Sequence, residues 1–170
     1  MADKLTPEQR HRCMSRIRGK DTKPEMTVRR YLHAHGYRFR IHVRRLPGTP
    51  DIVMRKYHVV IFVNGCFWHG HEDCGMYVVP KSNVEFWRNK IERNKERDVR
   101  VAEQLRKMGW HVIRIWECQL TAKNREQYLS GLLLTLNHLI LVNYGAKPVK
   151  QYDGDEERPM RIAAEEDGEE

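Results

Sequence analysis

Apolar and polar positions along the chain predict short buried strands set between amphipathic helices. Val59-Val60-Ile61-Phe62-Val63 is an unbroken apolar run and reads as a strand covered on both faces. Asn64-Gly65 ends it, because such a pair tolerates the positive φ of a tight turn. Tyr37 to Val43 alternates, with Tyr37, Phe39, Ile41 and Val43 on one side and Arg38, Arg40 and His42 on the other. That spacing predicts a half-buried strand with a basic outer face. Leu46-Pro47-Gly48-Thr49-Pro50 is a turn, Asp51 to Met54 begins the next strand, and Trp110 to Trp116 reads as a further buried strand. If the Asp51 and Val59 strands pair as an antiparallel hairpin, Asp51 becomes a neighbour of Val63 and Asn64.

The helical period marks the rest. Thr22-Lys23-Pro24-Glu25 starts a helix that runs to His35 and stops at Gly36, with Val28, Tyr31, Leu32 and His35 on its apolar face. Glu25 lies in its first turn, where the helix dipole alone is reason enough for a carboxylate. Ser82-Asn83-Val84-Glu85 has capping-box spacing and opens a helix from Val84 to Met108, ended by Gly109. Trp87, Ile91, Val101, Leu105 and Met108 form its stripe. Asn94 and Asp98 fall on the same stripe, and inward polar groups need partners: they either help order a metal site or tie the helix to a loop. Leu129 to Val142 is a leucine-rich helix that covers the sheet. The pattern as a whole predicts an α/β domain over residues 21–145. Residues 1–20 form a basic arm with a helix start at Thr6-Pro7-Glu8, and residues 146–170 a non-periodic acidic tail that is expected to be disordered.

Charge sharpens this division. The chain carries a net +8. Residues 151–170 hold nine acidic and two basic residues, which leaves the remainder at +15. A body that basic points to a polyanion, most often nucleic acid, against the alternative of a merely solvated surface. Arg16, Arg18 and Lys20 of the arm would contact phosphates, and Met14 would either wedge into a base step or dock in the core. The longest apolar run, around Leu132 to Val142, is interrupted by Thr135, Asn137 and His138, so no membrane segment is expected. The N-terminal residues lack the apolar core of a signal peptide. A cytoplasmic, monomeric protein is expected, in which cysteines serve as thiolates rather than disulfides.

The candidate chemistry is concentrated between Cys66 and Cys74, where two thiols, two imidazoles and two large aromatics share nine residues. Cys66, His71 and Cys74, with Cys118 from just past the third strand, could form a closed Cys₃His set of the kind zinc prefers; the alternative is buried free cysteines with a surface histidine. This leaves His69 as a candidate acid or base, or as a phosphate contact. Asp51 beside the carbonyl of Val63 would make a hard oxygen site suited to Mg²⁺, against the plainer role of a turn aspartate after Pro50.

These residues carry a resemblance. Met14, Asp21-Thr22 with Glu25, Leu46 to Asp51, Val60 to His69, Glu85-Phe86-Trp87, Lys90 to Asn94, Arg97-Asp98 and Gly109 to Cys118 are similar to the very short patch repair (Vsr-type) DNA mismatch endonucleases, over about residues 14 to 120. The resemblance implies a restriction-endonuclease-like core, a mixed central sheet flanked by helices, with Phe62 and Asn64 in place of the usual second carboxylate and lysine. It implies Mg²⁺ at Asp51 and the Val63 carbonyl, assistance from Glu25, proton transfer by His69, and structural zinc at Cys66, His71, Cys74 and Cys118. Phe67, Trp68 and Trp87 would enter the DNA stack beside the mismatch, with Met14 entering from the other groove. The implied partner is double-stranded DNA with a T·G mismatch, with mismatch-repair proteins as further partners. The implied reaction is a nick 5′ of the thymine. One family member has histidine where this chain has Asn64, and asparagine cannot shuttle a proton near neutral pH. The alternatives are a related nickase with another target and a zinc-containing DNA-binding protein without catalysis.

Overall fold

The computed structural model describes residues 19–143 apart from Asp73, together with Thr6, Glu8, Gln9, Arg12 and Ser15. Met14, Arg16 and Arg18 of the arm, and residues 144–170 with the whole acidic tail, lie outside the described residues. Within the arm, the Thr6 hydroxyl accepts a hydrogen bond from the Gln9 N–H (3.2 Å) and the Gln9 side chain accepts one from the Thr6 N–H (3.0 Å), as a helix start requires.

Helix α1 spans Lys23–Ala34. Thr22 is its N-cap, Glu25 completes a reciprocal capping box and Pro24 sits in the first turn. Gly36 follows the C-cap with φ 83°, a left-handed value that favours glycine. Strand β1, Ile52–Met54, pairs antiparallel with β2, Val59–Asn64, placing Ile52 opposite Ile61. A 3₁₀ turn over Arg55–Tyr57 and left-handed His58 make the link. Helix α2, Val84–Lys107, then carries the chain back to β3, His111–Trp116, which pairs parallel to β2 with Val63 opposite Ile115. After a 3₁₀ turn over Glu117–Leu120, helix α3 covers Arg125–Asn143. The described sheet is therefore mixed, three-stranded and ordered β1-β2-β3.

Both faces of the sheet are covered. On one, Val28 and Leu32 of α1 and Leu129, Leu132 and Leu136 of α3 pack with Ile52, Met54, Val59, Ile61 and Ile115. On the other, Leu105 of α2 meets Val53 and Val60, flanked by Phe62, Val101, Trp110 and Val112. Each such side chain contributes about 1.5–3 kcal/mol through lost water contact, so the β2 run is fixed by burial more than by its three-residue partner β1. Gly48 allows the turn before β1 to lie against α2. Its φ is 71°, and a Cβ there would stand 2.5 Å from a Val101 methyl.

Three expectations fail here. Tyr37 to Val43 is not a strand: its only ladder contact is the bridge between Arg40 and Val53. The cause lies at His42, whose φ of 47° breaks the extended path. The apolar alternation still reports burial for Tyr37, Phe39 and Val43, but Ile41 is exposed and His42 turns inward. The capping box expected at Ser82-Asn83-Val84-Glu85 is also missing: Asn83 is a left-handed N-cap (φ 53°) with no side-chain cap hydrogen bond. Met108, placed on the apolar stripe of α2 by its spacing, is exposed. No helix among the described residues is long and apolar enough to cross a membrane.

Candidate functional site

Asp51 leads into β1 and stands beside the far end of β2. Its Oδ2 accepts a hydrogen bond from the Val63 N–H at 2.8 Å, as the hairpin register requires. Burial raises the Asp51 carboxyl above the ordinary aspartate range, the Val63 N–H opposes this, and the neighbouring Glu25 charge adds to the rise. An anion held against its own solvation, at a strand end where backbone oxygen is within reach, fits a divalent cation. Mg²⁺ typically takes one or two carboxylates and fills its other positions with water or phosphate oxygens.

Behind Asp51 lies a charged network. Arg29, whose side chain is 8% exposed, donates to Glu25 Oε2 (2.7 Å) and to Asp21 Oδ1 (2.5 Å). Glu25 also accepts from the Thr22 hydroxyl at 2.9 Å and the Asp21 N–H at 3.1 Å, so its carboxylate is held by its own helix start. The Arg29 guanidinium holds the Asp21 carboxyl below its usual range. His42 closes the network between Arg29 and Asp51.

Across the cleft, the loop after β2 presents His69. The Gly65 carbonyl accepts from the His69 N–H (3.2 Å), and Asn94 of α2 donates to the Trp68 carbonyl (2.8 Å), which fixes the loop against the helix. His69 Nδ1 is hydrogen-bonded to Asp98 of α2. Burial would raise the Asp98 carboxyl, but the bond to His69 and its charge hold it below the ordinary range. Asn94 and Asp98 thus tie the helix to the loop, the second of the two roles their spacing allowed. An imidazole whose other nitrogen is oriented by a carboxylate is equipped to move a proton. Asn64, at the last position of β2, is buried and lines the same cleft.

The Cys₃His set assembles. Donor atoms of Cys66, His71, Cys74 and Cys118 all lie within 4.8 Å of one another. His71 Nδ1 stands 3.6 Å from Cys66 Sγ and 3.3 Å from Cys118 Sγ, and its ring stacks on Trp116 at 4.1 Å. Burial pushes the Cys66 thiol up to about 12, so that sulfur needs a cation to be a thiolate. Three sulfurs and one imidazole converging around a buried thiol are a donor set consistent with tetrahedral zinc.

Asp51 and His69 face one open cleft of about 850 Å³. Asp51, Glu25, His42 and His69 lie within it, and Lys20, Lys90, Arg97 and Arg114 supply positive charge. At its edge Trp68 meets Phe67 (5.1 Å between ring centroids) and Trp87 (5.9 Å), with Lys90 Nζ 5.6 Å from the Trp68 ring. Carboxylates for a cation, cations for phosphates and flat rings for bases are what hydrolysis of a polynucleotide needs. Pattern reading missed Arg29, His42 and Arg114 as contributors. Arg29 carried a signal in its i,i+4 spacing from Glu25. Arg114 carried only its place opposite Phe62, and His42 pointed the wrong way.

The site has the groups of a polynucleotide-hydrolysing class of protein, and comparison with known proteins gives the family. The family model described as DNA mismatch endonuclease Vsr matches residues 2–75. The chain is 49% identical over 121 residues to the type II nicking enzyme V.XorIIP of Xanthomonas oryzae pv. oryzae, covering 71% of this chain and 88% of that one. It is 46% identical over 123 residues to the type II nicking enzyme V.NmeAIP of Neisseria meningitidis, covering 72% and 87%. It is 40% identical over 125 residues to the DNA mismatch endonuclease Vsr of Escherichia coli K12, covering 74% and 80%. The chain belongs to the Vsr DNA mismatch endonuclease family and is a DNA-hydrolysing enzyme.

Proposed function

We propose that this protein nicks one strand of duplex DNA 5′ of the thymine in a T·G mismatch, the product of 5-methylcytosine deamination, by Mg²⁺-dependent hydrolysis. The observation that carries the reading is the pairing of Asp51, held at the end of β2, with His69, held by Asp98 across one cleft. The core is read as restriction-endonuclease-like, in residues 21–145, with an arm before it and an acidic tail after it. Asp51 and the Val63 carbonyl would hold Mg²⁺, which supplies an activated water and charge neutralisation at the phosphate. His69 moves a proton with its ring aimed by Asp98, and Glu25 orders the water shell. Asn64 positions water or phosphate. Phe67, Trp68 and Trp87 wedge at the mismatch, where a weakly paired step costs less to unstack. Met14 enters from the opposite groove, and Arg16, Arg18 and Lys20 hold phosphates. Zn²⁺ at Cys66, His71, Cys74 and Cys118 is structural.

A second reading is a nickase of the same chemistry with another target. The observation favouring it is the higher identity to proteins named type II nicking enzymes than to the one named a mismatch endonuclease. End-labelled duplexes differing only at one pair, T·G against C·G, separate the two. Mg²⁺-dependent cutting of the thymine strand alone supports mismatch repair, and equal cutting of both duplexes supports the other target. Asp51→Ala should abolish nicking, a loss of at least ~10³-fold, while mismatch binding in EDTA persists. Lost binding would make Asp51 a structural residue.

A further inference from the structure

Asp21, Glu25 and His42 bring their donor atoms within 4.8 Å of one another, a spacing that could hold a metal ion. The place of the cation is taken by Arg29. Its Nη1 meets Asp21, and its Nη2 meets both Glu25 Oε2 at 2.7 Å and His42 Nε2 at 2.8 Å. A guanidinium nitrogen has protons and no free lone pair, so it can only donate. His42 Nε2 must therefore accept, and the ring proton must sit on Nδ1. Nδ1 is the nitrogen that faces Asp51, 3.8 Å from Oδ1. The other Asp51 oxygen is already fixed by the Val63 N–H.

We infer that Arg29 and His42 form a positioning unit for Asp51: Arg29 fixes the tautomer of His42, and His42 holds the free oxygen of Asp51 for the cation. The inference rests on the metal-binding role of Asp51 proposed above. The arrangement is costly unless used. Arg29 and His42 side chains are only 8% and 14% exposed, and His42 adopts a φ of 47° to reach its place. The same Arg29 nitrogen that reaches His42 holds Glu25, so one buried cation sets two of the carboxylates that face the cleft.

The test uses the full chain. In the metal-free protein, the ¹⁵N spectrum of His42 should report the Nδ1–H tautomer; the Nε2–H tautomer would overturn the inference. His42→Asn is the loss variant, because asparagine tolerates positive φ but is too short to span Arg29 and Asp51. His42→Gln is the rescue variant, because its amide can both accept and donate. Partner groups around a metal ligand typically carry about 10–100-fold in metal affinity. His42→Asn should thus raise the Mg²⁺ concentration for half-maximal nicking, and that for half-maximal thermal stabilisation without DNA, by about tenfold or more. Turnover at saturating Mg²⁺ should largely recover, and His42→Gln should lie near the parent. If Asp51→Ala removes the Mg²⁺-dependent stabilisation and His42→Asn leaves both midpoints unchanged, the positioning role is wrong and the Asp51 site stands. If Asp51→Ala leaves that stabilisation in place, both fail.

Discussion

Asp98 and Asp51 are two half-buried carboxylates that their neighbours push in opposite directions. Burial, joined by the Glu25 charge, raises Asp51; Asp98 is lowered against its own burial by the bond to His69. For Asp98 the native carboxyl is more acidic than the unfolded one, so its contribution to stability is complete above the ordinary carboxylate range. It is lost as pH falls through the depressed native value. Asp98→Asn should therefore destabilise by about 1.5–3 kcal/mol at neutral pH, the usual worth of a hydrogen bond to a charged group. The gap from the parent should close on acidification, as denaturant unfolding at a series of pH values will read. A gap that stays constant with pH would mean the pair contributes packing alone. Asp98 was placed inward by its spacing, whereas its partner was not legible: nothing in a sequence says that position 98 of a helix meets position 69 of a loop.

Elements were legible where local rules and burial agree. Helix α1 has its cap, first-turn proline and apolar face in register, and the structure follows them. Thr22→Ala should cost about 1 kcal/mol in equilibrium unfolding, since it removes the cap and one of the donors to Glu25. No change would mean Asp21 and Arg29 hold that helix start unaided. Residues 37–43 were misread because alternation reports which side chains are buried and not whether the backbone has a strand to pair with. Here β1 offers one bridge, and left-handed His42 ends the extension. The cap expected before α2 failed for a different reason: Asn83 at the N-cap has a left-handed backbone and makes no side-chain cap hydrogen bond.

At the scale of the molecule, the Cys₃His set joins the loop after β2 to the turn after β3. It fixes from behind the loop that carries His69 and the aromatics. Loss of one ligand in Cys118→Ser, or prolonged chelation, should lower Tm by several degrees, as a loss of ~1–3 kcal/mol would. Zinc content by elemental analysis should fall from about one ion per chain. DNA nicking should fall with it, since His69 and Trp68 share the loop. An unchanged Tm after full zinc removal would reduce the cluster to a set of buried thiols.

The sequence by itself determined the local features. These are the buried β2 run, the amphipathic helices with their stops, the basic body and acidic end, and the grouping of thiols and imidazoles within nine residues. All of them follow from neighbours along the chain, where period, capping and charge act over a turn or two. Only the tertiary structure decided what those residues face. It brought Cys118 to Cys66 across 52 positions, and Asp98 to His69 across 29. It also turned His42 from an outer face into the space between Arg29 and Asp51. The physical reason is that such meetings depend on how layers pack and on a few positive-φ residues, and neither leaves a period in the sequence.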